Sequence, residues 1–170
     1  TIGSNNAGGP GAGTGLLTVS GGSLDISGNM RLGQGGPAQQ GDVTQTGGEV
    51  SVGGDLQFGS TGSAGGDVQL YDLDGGLLEV TGNIQHVGGS VRGHLYLDDP
   101  NDPLTLTGNI NIQSFRVGDD ERGEQTLTGN NVTTTGTMLV GRAAEGDLTL
   151  VGGTHSLNNV TVGDASGSAG

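Results

Sequence analysis

An apolar residue followed by glycine closes six successive segments of the sequence, and this repeat restricts the fold more than any other feature. The closing glycines are Gly33 in "MRLG", Gly59 in "LQFG", Gly88 in "QHVG", Gly118 in "FRVG", Gly141 in "MLVG" and Gly163 in "VTVG". Their spacings are 26, 29, 30, 23 and 22 residues. Repetition at this period is typical of solenoids, in which each repeat buries its apolar surface against the next.

Each repeat divides into three short runs in which apolar and polar residues alternate. The first copy reads "LLTVS", "SLDIS" and "MRLG", and the last copy reads "DLTLV", "THSL" and "VTVG". A period of two predicts strands, and no stretch shows a helical period over a useful length. The runs are separated by pairs such as Gly21-Gly22 and Gly28-Asn29. Glycine and asparagine tolerate the positive φ of a sharp bend, so each repeat is predicted to be a bent coil with three sides.

Antiparallel hairpins could be drawn from the same runs, but a meander does not require every third run to end in the same signature. A solenoid stacks equivalent runs in parallel about 4.8 Å apart, so each coil needs the same corners. Parallel connections are overwhelmingly right-handed. The sequence therefore predicts an all-β fold, a right-handed parallel β-helix of about six coils of 22–30 residues. Residues 16–170 would form the solenoid, and residues 1–15 the end of a preceding coil and a glycine-rich loop.

The alternation also predicts which side chains point into the solenoid. The predicted interior residues are Leu17, Val19, Leu24, Ile26, Met30, Leu32, Val43, Val50, Val52, Leu56, Phe58, Val68, Leu70, Leu78, Val80, Ile84, Val87, Leu95, Leu97, Leu104, Leu106, Ile110, Ile112, Leu127, Val132, Met138, Val140, Leu148, Leu150, Leu157, Val160 and Val162. These thin aliphatic layers offset the ordering of so many glycines only if the coils stack, so a single coil would not fold.

Composition and charge narrow the class of protein further. The chain has 39 glycines in 170 residues and only 2 Tyr, 2 Phe and no Trp, which argues against a thick globular core. The net charge of −13, with 5 Arg and no Lys, disfavours nucleic acid and membrane surfaces as partners. The chain has no Cys and no apolar run of the ~20 residues that a transmembrane helix needs. It begins at Thr1 without a signal peptide, which suggests a mature or excised piece of a longer protein.

The segments "GLLTVSGGSLDISGNMRLG" and "GDLTLVGGTHSLNNVTVG" resemble a known glycine-rich repeat of the form G-x-L-x-V-x-G-G. That repeat occurs in the passenger regions of autotransporters and in exported bacterial proteins with a PEP-CTERM sorting signal. The resemblance covers nearly all of the chain. It implies a β-solenoid, a bacterial origin and an extracellular or cell-surface location, and it implies no catalytic residues. The stretches "YDLDGG" and "DDPNDP" depart from the pattern, so local bulges are expected there.

Carboxylates are the first candidates for catalytic residues, because some polysaccharide lyases and hydrolases have a β-helix fold. The densest acidic stretches are "DDPNDP", with Asp98, Asp99 and Asp102, and "GDDERGE", with Asp119, Asp120, Glu121 and Glu124. Clustered oxygen ligands of this kind could hold Ca²⁺. Their spacing matches neither an EF-hand nor the calcium-binding roll repeat, and solvated acidic turns explain them more simply. No cofactor is predicted, and Ca²⁺ at the Asp-rich turns is the alternative.

The remaining polar residues do not form a catalytic motif, so no catalytic, cofactor-binding or metal site is predicted and the protein is expected not to be an enzyme. His86, His94 and His155 are isolated, and the serines lack a "GxSxG" elbow. The five arginines are scattered, at Arg31, Arg92, Arg116, Arg122 and Arg142. Outward threonines such as Thr133, Thr135 and Thr161 suggest an ice-binding surface. The outward residues of other coils are not threonine, which argues against such a surface. They are Asp25, Arg31, Glu49, Gln57 and Glu79. Asn131 and Asn159 stand in "NVT" sequons, which matter only in a eukaryotic secretory pathway.

The ends of the sequence lack the polar or helical caps that keep solenoid edges from pairing with another chain. Such ends predict either head-to-tail stacking of copies or continuation in a longer solenoid. The leading hypothesis is thus a structural extracellular protein that stacks into a surface filament or matrix fibre, with copies of itself as partner. The alternative is an adhesin or spacer passenger segment of a longer secreted protein that binds glycan or a host surface.

Overall fold

The computed structural model of the chain describes residues 2–4, 14–34, 40–59, 68–88, 92–101 and 103–163, and all regular structure in them is β-strand. This confirms the predicted all-β class. The strands are β1 (Ile2–Ser4), β2 (Thr14–Ile26), β3 (Met30–Gln34), β4 (Gln40–Val52), β5 (Leu56–Phe58), β6 (Val68–Val80), β7 (Ile84–His86), β8 (Arg92–Leu97), β9 (Leu104–Leu106), β10 (Ile110–Ile112), β11 (Ser114–Val117), β12 (Gly123–Thr128), β13 (Val132–Val140), β14 (Gly146–Val151) and β15 (His155–Val162).

Every paired strand in the described residues runs parallel to its neighbour, and the chain winds as a β-solenoid. The coil has three sides. Side 1 stacks the first halves of β2, β4 and β6 below β8, β11 and the second halves of β13 and β15. Side 2 holds the second halves of β2, β4 and β6, then β9, β12 and β14. Side 3 stacks β1, β3, β5, β7, β10 and the first halves of β13 and β15.

The corner between sides 2 and 3 counts the turns. It recurs six times, at residues 28–29, 54–55, 82–83, 108–109, 130–131 and 153–154, and therefore encloses five complete turns. Strand β1 pairs with β3 and so belongs to a turn below the first complete one. The rest of the predicted glycine-rich loop, residues 5–13, lies outside the described residues, as do the predicted exit loops at 35–39, 60–67 and 164–170.

The apolar-glycine signature marks two different corners, which the sequence alignment merged into one. Gly33 lies near the end of β3 and Gly59 and Gly88 follow β5 and β7, all on side 3, whereas Gly118, Gly141 and Gly163 follow strands of side 1. All six have positive φ, between 67° and 107°. Because both corners need the same backbone bend, both select the same residues. The aligned glycines pass from the first of these corners to the second between Gly88 and Gly118, which are 30 residues apart.

The interior consists of columns of side chains that stack from turn to turn. One column on side 1 runs from Val43 through Tyr71, Leu95 and Phe115 to Met138, and every member is buried. The predicted interior positions on sides 2 and 3 are also buried in the middle turns, including Val50, Leu56, Phe58, Ile84 and Ile110. Each layer is a few aliphatic side chains thick, so burial depends on the layer above and the layer below.

The prediction for Leu70 was wrong, because strand β6 has the opposite phase. Leu70 lies half-buried on the outer surface, and Tyr71 and Leu73 point inward with no exposed area. Side chains at 70, 72 and 74 share one surface of a strand. Placing Leu70 inside would therefore bury Asp72 and Asp74 in the apolar interior, which costs more than exposing part of one leucine.

A few other interior predictions also differ from the structure. Val87 is half-buried, and the side chain of Val68 lies outside the described part of the chain. Val160 and Val162 remain 53% and 60% exposed, because no described layer covers them. Buried residues that the sequence does not predict include Gln45, Gln69, Phe115, Val117, Gln125 and Leu139.

Side 2 contains a break between β9 and β12, and a side chain bridges it. Strand β9 pairs with β6 below it, while β12 pairs only with β14 above it within the described residues. The side-chain amide of Gln125 on β12 replaces the missing backbone pairing. Its Oε1 accepts the N–H of Leu104 at 2.9 Å, and its Nε2 donates to the carbonyl of Leu104 at 2.9 Å. The N–H and C=O groups of Leu104 on β9 are thus satisfied without a strand above them.

Candidate functional site

Three aspartates from two successive turns meet at the corner where side 1 ends. Asp72 and Asp74 lie on the outer surface of β6, and Asp98 directly follows β8. The N–H of Asp98 donates to the carbonyl of Leu73 at 2.9 Å, which places Asp98 one layer above the β6 aspartates. One carboxylate oxygen of each of the three residues lies within 4.8 Å of those of the others. We call this group, Asp72, Asp74 and Asp98, the acidic corner.

Asp98 is the most buried member of the acidic corner, with 1% of the residue exposed. Its Oδ1 accepts a short hydrogen bond from the backbone N–H of Asp119. Its Oδ2 is also buried but has no hydrogen-bond partner. Buried polar atoms are nearly always paired in folded proteins, so an unpaired carboxylate oxygen requires an explanation.

Burial and mutual repulsion favour the protonated carboxyl groups in this corner. Burial is the main cause that raises the pKa of Asp98 to about 7, and the charges of Asp120, Asp119 and Asp72 add to it against the opposing hydrogen bond from Asp119. The pKa of Asp72 rises to about 6, first through burial and then through Asp74 and other nearby carboxylates. Burial and repulsion also raise the pKa of Asp74. The corner thus concentrates negative charge that its surroundings do not neutralise.

The neighbouring Asp119 differs because two arginines hold it. Arg116 Nη1 lies 3.0 Å from both carboxylate oxygens of Asp119, and Arg142 Nη1 lies 3.3 Å and 3.4 Å from them. Arg116 also lies over the ring of Tyr96, 4.4 Å from its centroid. Both arginine side chains therefore form ion pairs with Asp119. In the described residues, no ion pair connects either arginine to the acidic corner.

The structure divides the acidic residues that the sequence singled out. Asp98 joins the acidic corner, whereas Asp99 accepts two hydrogen bonds from Asn101 and so forms a local turn. Asp120 and Glu121 are exposed, and Glu124 faces Arg122 at 3.6 Å. Asp102 lies outside the described residues.

Sequence analysis missed Asp72 and Asp74 because they stand 26 and 24 residues before Asp98. The signal that could have found them is the turn length. One turn of this solenoid takes 22–28 residues, so acidic residues separated by that interval can stack.

A shallow groove lies beside the acidic corner on the outer surface of side 1. It has a volume of about 350 Å³, and its lining includes His94, Gln113, Arg116, Thr137 and Arg142. Nδ1 of His94 lies 3.0 Å from the Tyr96 hydroxyl, and its Nε2 lies 3.3 Å from Oε1 of Gln113. The groove therefore offers amide, hydroxyl and guanidinium groups on a rigid sheet, without a nucleophile activated by an adjacent base among these residues.

The other polar residues considered in the sequence are separated from one another. Thr133 lies on side 3 and Thr161 on side 1, so the threonines proposed for an ice-binding surface do not share one side. His86 contacts the carbonyl of Asn111, and His155 contacts that of Gly152. Arg31 donates to Gln57 on the turn above it. The side chain of Arg92 lies outside the described residues.

The two ends of the described solenoid carry strands paired on one edge only. At the lower end, β2 pairs with β4 alone, and at the upper end β14 and β15 pair with β12 and β13 alone. Val160 and Val162 continue interior columns whose members one turn below, Met138 and Val140, are buried. In the described residues, both ends therefore present unpaired backbone groups next to exposed apolar side chains.

No helix in the described part of the chain is long and apolar enough to span a bilayer. No family model, curated protein or solved structure matches the chain.

Proposed function

We propose that this protein is a structural protein outside a bacterial cell, and that its solenoid stacks end to end on further copies to form a filament or matrix fibre. The observation that carries the proposal is the pair of open parallel edges at the two ends of the described coil. A parallel edge presents N–H and C=O groups at the spacing of the next strand, so it is a template for another copy.

The chemistry of the edge strands supports stacking. Soluble sheet proteins protect their edges with Lys, Pro or inward-pointing charges. Here β2 contains one charged residue, Asp25, and β14 contains one, Asp147, while β15 has only His155 as a titratable residue. None of the three strands contains Lys, Arg or Pro.

The apolar side chains at the ends provide the driving force. Val160 and Val162, which continue interior columns, are 53% and 60% exposed at the upper end, and Leu17, in the column of buried Val43, is only half-buried at the lower end. A further layer would bury these side chains as the interior layers bury theirs, at about 25 cal/mol per Å² of apolar area. Upper and lower surfaces differ, so the contact is heterologous and produces an open filament.

The experiment is negative-stain electron microscopy and sedimentation velocity of the full chain over a range of concentrations. We expect filaments one solenoid wide whose mean length grows with concentration. The variant Val160→Lys places a charge in the interior column of the upper edge and should prevent assembly. Thr161→Lys places the same charge on the outer surface of the same strand and should leave assembly largely intact. A wild-type chain that stays monomeric at high concentration, or equal assembly of both variants, would refute the proposal.

A second candidate function is adhesion to glycans, and the groove on side 1 is the observation that favours it. Its polar lining on a rigid sheet suits sugar hydroxyl and carboxylate groups. Binding to a glycan array should weaken in Arg142→Ala and persist in Arg122→Ala, since these arginine side chains are 49% and 51% exposed but only Arg142 lines the groove. Absence of binding to any acidic or neutral glycan would remove this candidate.

A further inference from the structure

The geometry of the acidic corner fits one metal ion. Two oxygen atoms bound to the same Ca²⁺ at about 2.4 Å can be at most about 4.8 Å apart. The three carboxylate oxygens of Asp72, Asp74 and Asp98 satisfy this limit in the structure as it stands. They come from two successive turns and from the same end of the paired strands β6 and β8, so the ligands are already gathered before an ion arrives.

The unpaired Oδ2 of Asp98 is a second and independent observation. A buried carboxylate oxygen without a partner loses its hydration and gains no hydrogen bond in return, which is unfavourable. The other oxygen of Asp98 is held by the N–H of Asp119, so this hydrogen bond fixes the orientation of the carboxylate. Oδ2 is therefore available to bind a ligand from outside the chain.

The charge balance favours a cation over a neutral ligand. The nearest arginines, Arg116 and Arg142, are bound to Asp119, which leaves the acidic corner without a counter-charge in the described residues. Asp120 adds to the negative potential at both Asp72 and Asp98. A divalent cation relieves the repulsion among these carboxylates.

We propose that Asp72, Asp74 and Asp98 bind a Ca²⁺ ion that links two successive turns of the solenoid. Carboxylate oxygens without His or Cys favour a hard cation over zinc or copper. Calcium accepts irregular arrangements of six to eight oxygens, including water, whereas Mg²⁺ demands near-octahedral geometry at about 2.0–2.1 Å. Three ligands at the edge of a sheet, completed by water, suit calcium. With three carboxylates we expect a Kd of about 10⁻⁴ to 10⁻³ M, the range of extracellular calcium modules.

The direct test is isothermal titration of the full chain with CaCl₂ after treatment with EDTA. We expect one site per chain, about tenfold or more weaker in Asp98→Asn and in Asp72→Asn. Asp25→Asn removes the same charge from an exposed position on side 2 and should bind as the wild type does. No binding by the wild-type chain, or equal binding by Asp98→Asn, would overturn the proposal. Equal affinity for Mg²⁺ would overturn the assignment to calcium.

Terbium luminescence gives a second readout at the same site. Tb³⁺ replaces Ca²⁺ at oxygen sites and is sensitised by a nearby tyrosine. Tyr96 is the strand neighbour of Asp72 on the outer surface of side 1. Titration with TbCl₃ should give a signal that Ca²⁺ displaces. Tyr96→Phe should reduce this signal while leaving calorimetric Ca²⁺ binding intact, and a signal that Asp98→Asn leaves unchanged would place the ion elsewhere.

Thermal unfolding separates an ion site from a purely structural role of Asp98. Without calcium, Asp98→Asn should be at least as stable as the wild type, because it removes a buried charge without a counter-ion. With calcium at several millimolar, only the wild type should gain stability, so the order of the two melting temperatures reverses. A variant that is less stable under both conditions would show that Asp98 serves the fold alone. The three aspartates lie in the middle turns and not at the open ends, so ion binding does not depend on filament formation.

Discussion

Oδ1 of Asn83 accepts the backbone N–H of Asn109, one turn above it, at 2.9 Å. The same bond recurs at each turn of this corner. Oδ1 of Asn29 accepts from Asp55 at 2.9 Å, and Oδ1 of Asp55 accepts from Asn83 at 2.8 Å. Above them, Asn109 accepts from Asn131, and Asn131 accepts from Thr154. The five bonds form an asparagine-aspartate ladder that fixes the register of all the turns at the corner, where the strand ladder is interrupted.

Replacing Asn109 with alanine should destabilise the protein by about 1 kcal/mol. The substitution removes the acceptor of the Asn131 N–H, while the N–H of Asn109 keeps Asn83 as its partner. Urea unfolding followed by circular dichroism measures the effect. The matched control is Asn111→Ala, two residues further along on the exposed surface of β10, which should change stability by less than about 0.5 kcal/mol. Equal effects of the two substitutions would contradict a role for the ladder.

All ladder residues except Asn131 follow a glycine, and above the first turn these glycines allow close approach of the backbones. A Cβ at Gly82 would lie 2.7 Å from the carbonyl carbon and oxygen of Gly54, whereas a Cβ at Gly28 would meet nothing within 4 Å. Neither glycine has the positive φ that strains other residues. We therefore expect Gly82→Ala to cost about 1–3 kcal/mol through forced separation of two turns. Gly28→Ala should be neutral or stabilising by up to about 1 kcal/mol, because it restricts the unfolded chain. The reverse order of melting temperatures would count against this stacking.

Gln125 should be essential to side 2, where its amide replaces a missing strand contact. Gln125→Leu keeps the approximate volume but leaves the buried N–H and C=O of Leu104 without these partners. At about 1–3 kcal/mol for each unsatisfied group, we expect a loss of about 2–5 kcal/mol. Gln40→Leu, at an exposed position of β4, is the control and should change stability by less than about 0.5 kcal/mol. Hydrogen exchange at Leu104 should also accelerate in Gln125→Leu alone, and unchanged protection would contradict the bridge.

Local pattern was sufficient to predict the fold class and many of the corner residues. Period-two alternation identified the strands, and the repeated apolar-glycine endings identified glycines such as Gly33 and Gly118, which have positive φ. The same physical requirement misled the repeat alignment, since two corners of one coil select identical residues. Strand pairing distinguishes the two corners. Ile84 of β7 pairs with Ile110 of β10 and not with a residue of β11, so Gly88, which follows β7, belongs to a different corner from Gly118, which follows β11.

The acidic corner could not be predicted from local pattern, because its members are brought together by the length of a turn. Turns vary from 22 to 28 residues, so no fixed spacing relates Asp72 to Asp98. Whether two aspartates stack on each other depends on the number of residues in the loops that connect the sides of the coil. The phase of β6 was predictable in principle. Its two aspartates decide which surface faces water, and that argument outweighs the apolar character of Leu70.

The acidic corner should make the metal-free protein less stable as the pH rises from about 4 to about 7. The folded-state pKa of Asp98 is raised from 3.8 to about 7, so its protonated form is favoured by folding. The stability linked to this proton is fully present below the unfolded pKa and is lost as the pH passes through the folded one. Asp72, with its pKa raised to about 6, acts in the same direction, and Asp74, Asp119 and Asp120 face the two groups.

The measurement is a series of thermal unfolding curves in EDTA between pH 4 and pH 7.5, for the wild type and for Asp98→Asn. Subtracting the two curves removes the contribution of titrating groups that do not interact with Asp98. The wild type should lose several degrees of melting temperature relative to the variant across this range, since about 1 kcal/mol corresponds to about 2–4 °C in a chain of this size. A difference that is constant with pH would mean that Asp98 is ionised throughout, and a difference of opposite sign would mean that a cation of the chain holds its carboxylate.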